Sequence, residues 1–226
     1  PVGIAADNSN NIYINDYDVA TGYNAIKKIN PDDGSFSNIF VTTDALGSLS
    51  QNNGLLYLAD KTTNEIITIS TNGGNSDGFH NGLNNPYLFK TFGSHEYITQ
   101  RNSSGIKRLT FSFPGGYSST NLGVFNDAKG FDFDTNGNLY VADYGGNSIS
   151  KLTPTGVQNF ILTGLNKPSS VAIDNSHGLV YFTDTENNAV KRMNLDGSNV
   201  TIIGSGFYKP ESVCLNTANN KLYVTD

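Results

Sequence analysis

Tryptophan is absent from this 226-residue chain, and cysteine and methionine occur once each. A lone Cys214 excludes any internal disulfide framework. Lysine and arginine together number 14 against 20 acidic residues, a net charge of −6, so the basic footprint of a nucleic-acid or anionic-membrane binder is missing. No apolar run approaches the roughly 18 residues of a membrane span, and no 3.6-residue apolar period stands out. Histidine is scarce as well. His80, His95 and His177 fall in separate stretches of the chain, which argues against their meeting on one zinc ion.

Asparagine takes the place of the missing charge, with 31 residues, alongside 24 glycines. A polar, uncharged surface of this kind points to a secreted or cell-surface protein, although one cysteine suits the cytosol equally. The chain starts at Pro1 and stops at Asp226, the last residue of a motif, so a processed or cropped piece of a longer polypeptide is expected, with neighbouring domains among its partners.

That motif organises the chain. It reads aromatic, aliphatic or Phe, small, Asp: Tyr13-Ile14-Asn15-Asp16, Tyr57-Leu58-Ala59-Asp60, Tyr140-Val141-Ala142-Asp143, Tyr181-Phe182-Thr183-Asp184 and Tyr223-Val224-Thr225-Asp226. A degenerate copy, Tyr97-Ile98-Thr99-Gln100, fills the gap, and successive last positions lie 40 to 44 residues apart. Such a period, with short period-2 strands inside it, predicts an all-β propeller. In the fifth unit Val171–Asp174, Leu179–Thr183, Ala189–Asn194 and Val200–Ile203 read as four strands, separated by turns that include Asp196-Gly197. Asn136-Gly137 reads as a type I′ hairpin. Gly73–Asn85 and Pro114–Asn126 read as long loops. The blades are placed at about 1–45, 46–84, 85–126, 127–166 and 167–208, with a partial sixth at 209–226. A six-bladed ring in one domain is therefore expected, its last blade two-stranded within this chain.

Val180-Tyr181-Phe182-Thr183-Asp184 followed by Ala189 to Ser198 resembles the YWTD repeat of the low-density-lipoprotein receptor class. Units with Pro, then Ala-φ-Asp, then Tyr-Val-Ala-Asp are equally similar to NHL repeats. Both families imply propellers of six or similar blades, and neither implies one function. The chain departs from the YWTD pattern in having Ile, Leu, Val or Phe where tryptophan is the family residue.

The motif acids Asp16, Asp60, Asp143 and Asp184 recur once per unit at a strand end, which fits hydrogen bonding to the following turn better than metal binding. Asp134 to Asn138 lacks the spacing and the closing Glu of a calcium loop and reads as a hairpin. Inner strands offer mostly Ala, Val, Ile and Phe. Their charged residues, Lys90 and Asp132, occupy equivalent places on neighbouring blades, as do Ala172 and Cys214. A largely buried inter-blade salt bridge is expected, with contact to a ligand at the channel mouth as the other reading. No metal and no cofactor is expected. Asn102 and Asn199 match the glycosylation acceptor pattern.

Loops joining second to third strands share a face with the links between blades. That face should carry Tyr17, Asp18, Tyr23, Lys61, Arg101, Tyr144, Glu186, Tyr208 and Lys209, with Gly73–Asn85 adding surface beside them. The residue after each motif acid varies while strand positions do not, and Tyr and Arg are favoured anchors. The reading is a non-enzymatic scaffold binding a protein or glycan on this face, without nucleic acid or membrane insertion. The alternative is a propeller lactonase, lyase or hydrolase with a metal in its channel.

Overall fold

A computed structural model describes residues 2–226 except 102–104, 113, 115 and 205. Blade one comprises β1 (Gly3–Ala6), β2 (Ile12–Asp18), β3 (Tyr23–Ile29) and β4 (Phe36–Thr42). Blade two holds β5 (Leu46–Asn52), β6 (Leu55–Asp60), β7 (Glu65–Ser70) and β8 (Asp77–His80). Blade three holds β9 (Pro86–Phe92), β10 (His95–Gln100), β11 (Ile106–Ser112) and β12 (Gly116–Leu122). Blade four holds β13 (Ala128–Phe133), β14 (Leu139–Asp143), β15 (Ser148–Leu152) and β16 (Gln158–Leu162). Blade five holds β17 (Val171–Asp174), β18 (Leu179–Asp184), β19 (Ala189–Asn194) and β20 (Thr201–Ile202). Each is an antiparallel meander in chain order. β21 (Ser212–Asn216) and β22 (Lys221–Thr225) pair as a separate two-stranded sheet. Five complete blades thus stand where the repeat gave six units, because the sixth unit supplies only two strands here. Among the described residues the one helical element is a 3-10 turn at Thr185–Asn187.

The strands arrange as they do because each motif tyrosine lies opposite one inner-strand layer. Tyr13 pairs with Ala5, Tyr57 with Ser50, Tyr97 with Lys90, Tyr140 with Asp132, Tyr181 with Ala172 and Tyr223 with Cys214. Period-2 alternation then sends the aliphatic partners between sheets, so the core is a set of layers, each sandwiched by two blades. Ile26, Leu56 and Leu58 pack blade one on two; Phe131, Phe133 and Leu139 pack four on three; Tyr140, Val180 and Phe182 pack five on four. Val213 carries the two-stranded sheet against Ala172 and Val190 of blade five, and β21 also contacts β1, so it sits between blades five and one. The close approach of neighbouring inner strands leaves no room for a side chain at Gly130, where a Cβ would lie 2.6 Å from Ser170 Cα.

The motif acids serve the turns. Asp60 Oδ1 accepts the N–H groups of Thr62 and Thr63 at 2.8 and 3.1 Å. Asp143 Oδ1 accepts those of Asp127 and Gly146 at 3.0 and 3.1 Å. Asp184, fully buried, accepts from Asn166 N–H at 2.7 Å and from Lys191 Nζ at 2.6 Å. A second acidic set closes the first-to-second-strand turns: Asp134 Oδ1 accepts from the N–H groups of Asn136 and Asn138, at 3.0 and 2.9 Å.

Three readings of the sequence are corrected. The Asn136-Gly137 turn is not type I′, since Gly137 has φ +77° but Asn136 is not left-handed. Its bonds, Gly137 N–H to Asp134 C=O and Asp134 N–H to Asn138 C=O, make it a type I turn closed by a left-handed glycine. Gly73–Asn85 is not one loop, because β8 lies inside it, and Pro114–Asn126 likewise contains β12.

Candidate functional site

Two mouths of the central channel carry the chemistry. On the face of the inter-blade links, Lys61 follows β6 and Arg101 follows β10, in the loops joining second to third strands. Tyr87 and Lys129 stand near the starts of inner strands β9 and β13. Lys61 Nζ lies 5.3 Å from the Tyr87 ring centroid and Lys129 Nζ 5.6 Å from it. Lys129 Nζ also sits 3.5 Å from the centroid of Tyr144, whose ring faces Lys167 Nζ at 5.6 Å. Arg101 Nη2 bonds Asp127 Oδ2 at 3.1 Å, and Lys129 Nζ approaches Glu211 Oε2 at 3.9 Å. Glu211 precedes β21, so that approach spans from blade four to the two-stranded sheet.

This cluster is held under electrostatic stress. Lys129 is 6% exposed, and burial pulls its ammonium pKa down although Glu211 opposes the shift. Burial, then the like charge of Arg101, pulls Lys61 down as well. Burial pushes the Tyr87 phenol up, helped by Glu211. Four cations, Lys61, Arg101, Lys129 and Lys167, thus face two carboxylates, Asp127 and Glu211, in a chain whose net charge is −6.

Of the nine residues expected on this face, the structure brings Lys61, Arg101 and Tyr144 together. Glu186 and Lys209 pair beside them at 3.1 Å, and burial of neither is deep. Tyr208 is 73% exposed next to Lys209. Tyr17, Asp18 and Tyr23 do not join them. They line a separate hollow on blade one with Val19, Phe36 and Val41. Lys129 and Tyr87 were missed. They share one offset, three residues before Asp132 and Lys90, and Glu211 holds the same offset before Cys214. Counting that layer across units would have found all three.

The opposite mouth, framed by first-to-second-strand turns, opens into a cavity of about 620 Å³ that Lys90 and Asp132 line. Their charged atoms are 2.8 Å apart, but the side chains are 26% and 25% exposed, so the expectation of a largely buried pair is corrected. Both side chains open onto this cavity, which accounts for their exposure. Asp132 Oδ2 also accepts the Ile173 N–H at 2.9 Å.

The histidines do not converge. His80 Nε2 pairs with Glu96 at 2.7 Å, and His95 contacts Thr110. His177 Nδ1 contacts both Asp174 Oδ2 at 2.7 Å and Ser176 Oγ at 3.0 Å. Acid and hydroxyl meet the same ring nitrogen, so this is a turn lock and not a relay. Among the described residues no three His, Cys, Asp or Glu side chains are placed to hold a metal ion. Asn102 lies outside the described residues; Asn199 stands in the turn before β20 with φ +56°.

The fold and its repeats define a class: the chain is a β-propeller of YWTD/NHL-like repeats. No family model matches it. It is 31% identical over 106 residues, 44% of its length, to mouse low-density lipoprotein receptor-related protein 5, and spans 7% of that protein. Among solved structures it resembles one titled nidogen/laminin complex, with TM-score 0.71, 21% identity, and coverage of 98% of this chain and 82% of the other. It also resembles virginiamycin B lyase from Staphylococcus aureus, with TM-score 0.67, 16% identity, and coverage of 100% and 83%. At these identities the structural likenesses establish the fold.

Proposed function

We propose that this protein is a non-enzymatic, secreted or cell-surface propeller that binds an acidic segment of a protein partner on its link face. The observation that carries the reading is the convergence of Lys61 and Lys129 on Tyr87 and of Lys129 and Lys167 on Tyr144, with the Arg101 charge close enough to act on Lys61 and Lys129. A buried ammonium such as Lys129 beside like charges is costly to hold, and burial pulls the Lys129 and Lys61 pKa values down. A carboxylate placed among them relieves that cost, and the two tyrosine rings supply rigid contact area around it. The similarity to a receptor-related protein and to a nidogen/laminin complex supports a protein as the occupant over a glycan. Glu186, Lys209 and Tyr208 extend the surface outward, whereas Tyr17, Asp18 and Tyr23 form a separate patch outside the binding centre. The ring is six-fold in this reading, with β21 and β22 as the inner half of a sixth blade. Support comes from the packing of β21 against both β17 and β1.

Capture from the extracellular protein fraction of the source organism tests this. Wild type should retain a partner that about 0.5 M salt releases, since screening at that strength shortens charge interactions to a few ångströms. Lys61→Ala/Arg101→Ala/Tyr144→Ala should lose it, and Tyr17→Ala/Tyr23→Ala should keep it. Equal recovery by the triple variant would refute the reading.

A further inference from the structure

The inner-strand layer opposite the motif tyrosines reads Ala5, Ser50, Lys90, Asp132, Ala172, Cys214 around the channel. It is divided. Blades two to four contribute the polar arc, and the remaining positions are apolar or small. The Ser50 hydroxyl ties blade two to blade three through the Phe89 carbonyl at 2.5 Å. A neutral side chain is therefore sufficient to join blades at this level, and the Lys90–Asp132 pair is more than the joint requires.

The pair faces the 620 Å³ cavity on the mouth opposite the cationic cluster. Asp132 is fixed by two donors, Lys90 Nζ and the Ile173 N–H. An ammonium carries three hydrogens, so Lys90 keeps donors beyond the one given to Asp132, and a quarter of the side chain remains exposed. Gln51 also lines the cavity, and its amide makes no hydrogen bond among the described residues. Ile4, Ala172 and Val213 also line the cavity, with little of each exposed, and Phe89, Phe92 and Phe133 complete its apolar lining. Lys90 is neutralised by Asp132, and Asp134 lines the same space, so the site has no surplus positive charge with which to attract a carboxylate.

The geometry points to a small-ligand site in this cavity that takes a neutral cyclic polyol, a mono- or disaccharide, whose hydroxyls bond Lys90 and Gln51 while its C–H face lies on the apolar arc. Hydroxyls accept from the ammonium and exchange both kinds of bond with the amide without separating the ion pair. An amphipathic cavity of several hundred cubic ångströms with a few convergent polar groups suits such a ligand. Preorganisation comes from the Ile173 N–H, which fixes Asp132 and through it the lysine.

Cys214, the chain's single cysteine, lines the cavity and reports its occupancy. Its thiol is pushed up to about 11, chiefly by burial, so it alkylates slowly and responds to further covering. The full chain is treated with a maleimide in the presence of D-glucose, D-galactose, N-acetyl-D-glucosamine or maltose, and in parallel with glucuronate or glycine. At least one neutral sugar should slow alkylation about threefold or more at saturation, because only the unliganded fraction reacts. Lys90→Met should weaken that protection about tenfold in ligand concentration. Gln51→Ala, which removes no bond of the fold, should weaken it too, so loss of protection there cannot be read as unfolding. Lys61→Ala/Arg101→Ala/Tyr144→Ala should leave it intact, which separates this site from the link face. Failure of all four sugars to protect Cys214, equal protection in Lys90→Met and Gln51→Ala, or stronger protection by glucuronate or glycine would each overturn the proposal.

Discussion

Lys129 Nζ stands 3.5 Å from the centroid of the Tyr144 ring, joining the first residues of an inner strand to the loop that follows a motif acid. The contact offsets part of the cost of burying the ammonium, yet burial still holds its pKa below the ordinary lysine value. The unfolded chain then binds more protons than the folded one between the depressed pKa and 10.5, so this group's contribution to stability improves as pH rises through that window.

Lys129→Met retains the apolar stem and removes the charge. At neutral pH the variant should be as stable as wild type or more stable, on the scale of about 1 kcal/mol. The difference should shrink as pH rises towards 10.5, where the wild-type lysine loses its charge in both states. Urea unfolding of both proteins at neutral and alkaline pH checks it. A gap that widens with pH would contradict the assignment.

Asp184 shows the opposite balance. It is fully buried, and it satisfies Lys191 Nζ at 2.6 Å, Asn187 Nδ2 at 2.9 Å and the Asn166 N–H at 2.7 Å. Asp184→Ala leaves a cation and a backbone donor without their acceptor. The expected cost is about 3–5 kcal/mol. Asp132→Ala, at a site a quarter exposed, should cost less, about 1–3 kcal/mol. Denaturant midpoints that put the two variants in the reverse order would show that exposure was misjudged.

Gly197 occupies the turn before β20 with φ +88°, and a Cβ there would strike the carbonyl oxygen of Ile161 in blade four. Gly197→Ala combines left-handed strain with loss of that inter-blade approach. A loss of about 1–3 kcal/mol is expected. Gly178→Ala is the control: φ is +67° but no atom lies within 4 Å of its Cβ position, so the strain acts alone. Equal losses in the two variants would remove the case for close packing at Gly197.

The motif strand of every unit and the four strands of the fifth were legible because their residues alternate between two packed sheets. β8 and β12 were not. Their residues are largely exposed, they pair on one side only, and segments such as Asp77–His80 carry no apolar alternation. The link-face centre was half legible. Lys61, Arg101 and Tyr144 break the repeat directly after the motif, where a loop side chain is free to differ. Lys129 and Tyr87 sit inside inner strands, where the surrounding apolar residues made a charge or a phenol read as framework. Tyr17 follows its motif acid just as Lys61, Arg101 and Tyr144 follow theirs, but β2 and β3 extend past that point and pair to Asp18–Tyr23, so these residues prolong the sheet and line a hollow of their own.

Tyr140 links the motif to alkaline stability. Its ring is fully buried, and its hydroxyl donates to the Leu195 carbonyl at 3.0 Å and lies 3.4 Å from Asp134 Oδ2. Burial, followed by the charge and hydrogen bond of Asp134, raises the phenol above its ordinary value of 10.0. Tyr13 is raised in the same way beside Asp7. The folded state then retains protons that the unfolded state releases, so the stabilisation is fully present below pH 10 and is lost as pH climbs above it. Tyr140→Phe should cost about 1 kcal/mol at pH 7, where the Leu195 carbonyl loses its donor. Above pH 10 the variant should decline less steeply than wild type, because one linked phenol has gone, and the two stability curves should converge. Urea unfolding measured from neutral pH upward decides it. Parallel curves would mean that Tyr140 ionises no later in the folded protein than in the unfolded chain, and that its buried bond to Leu195 contributes nothing to the alkaline limit.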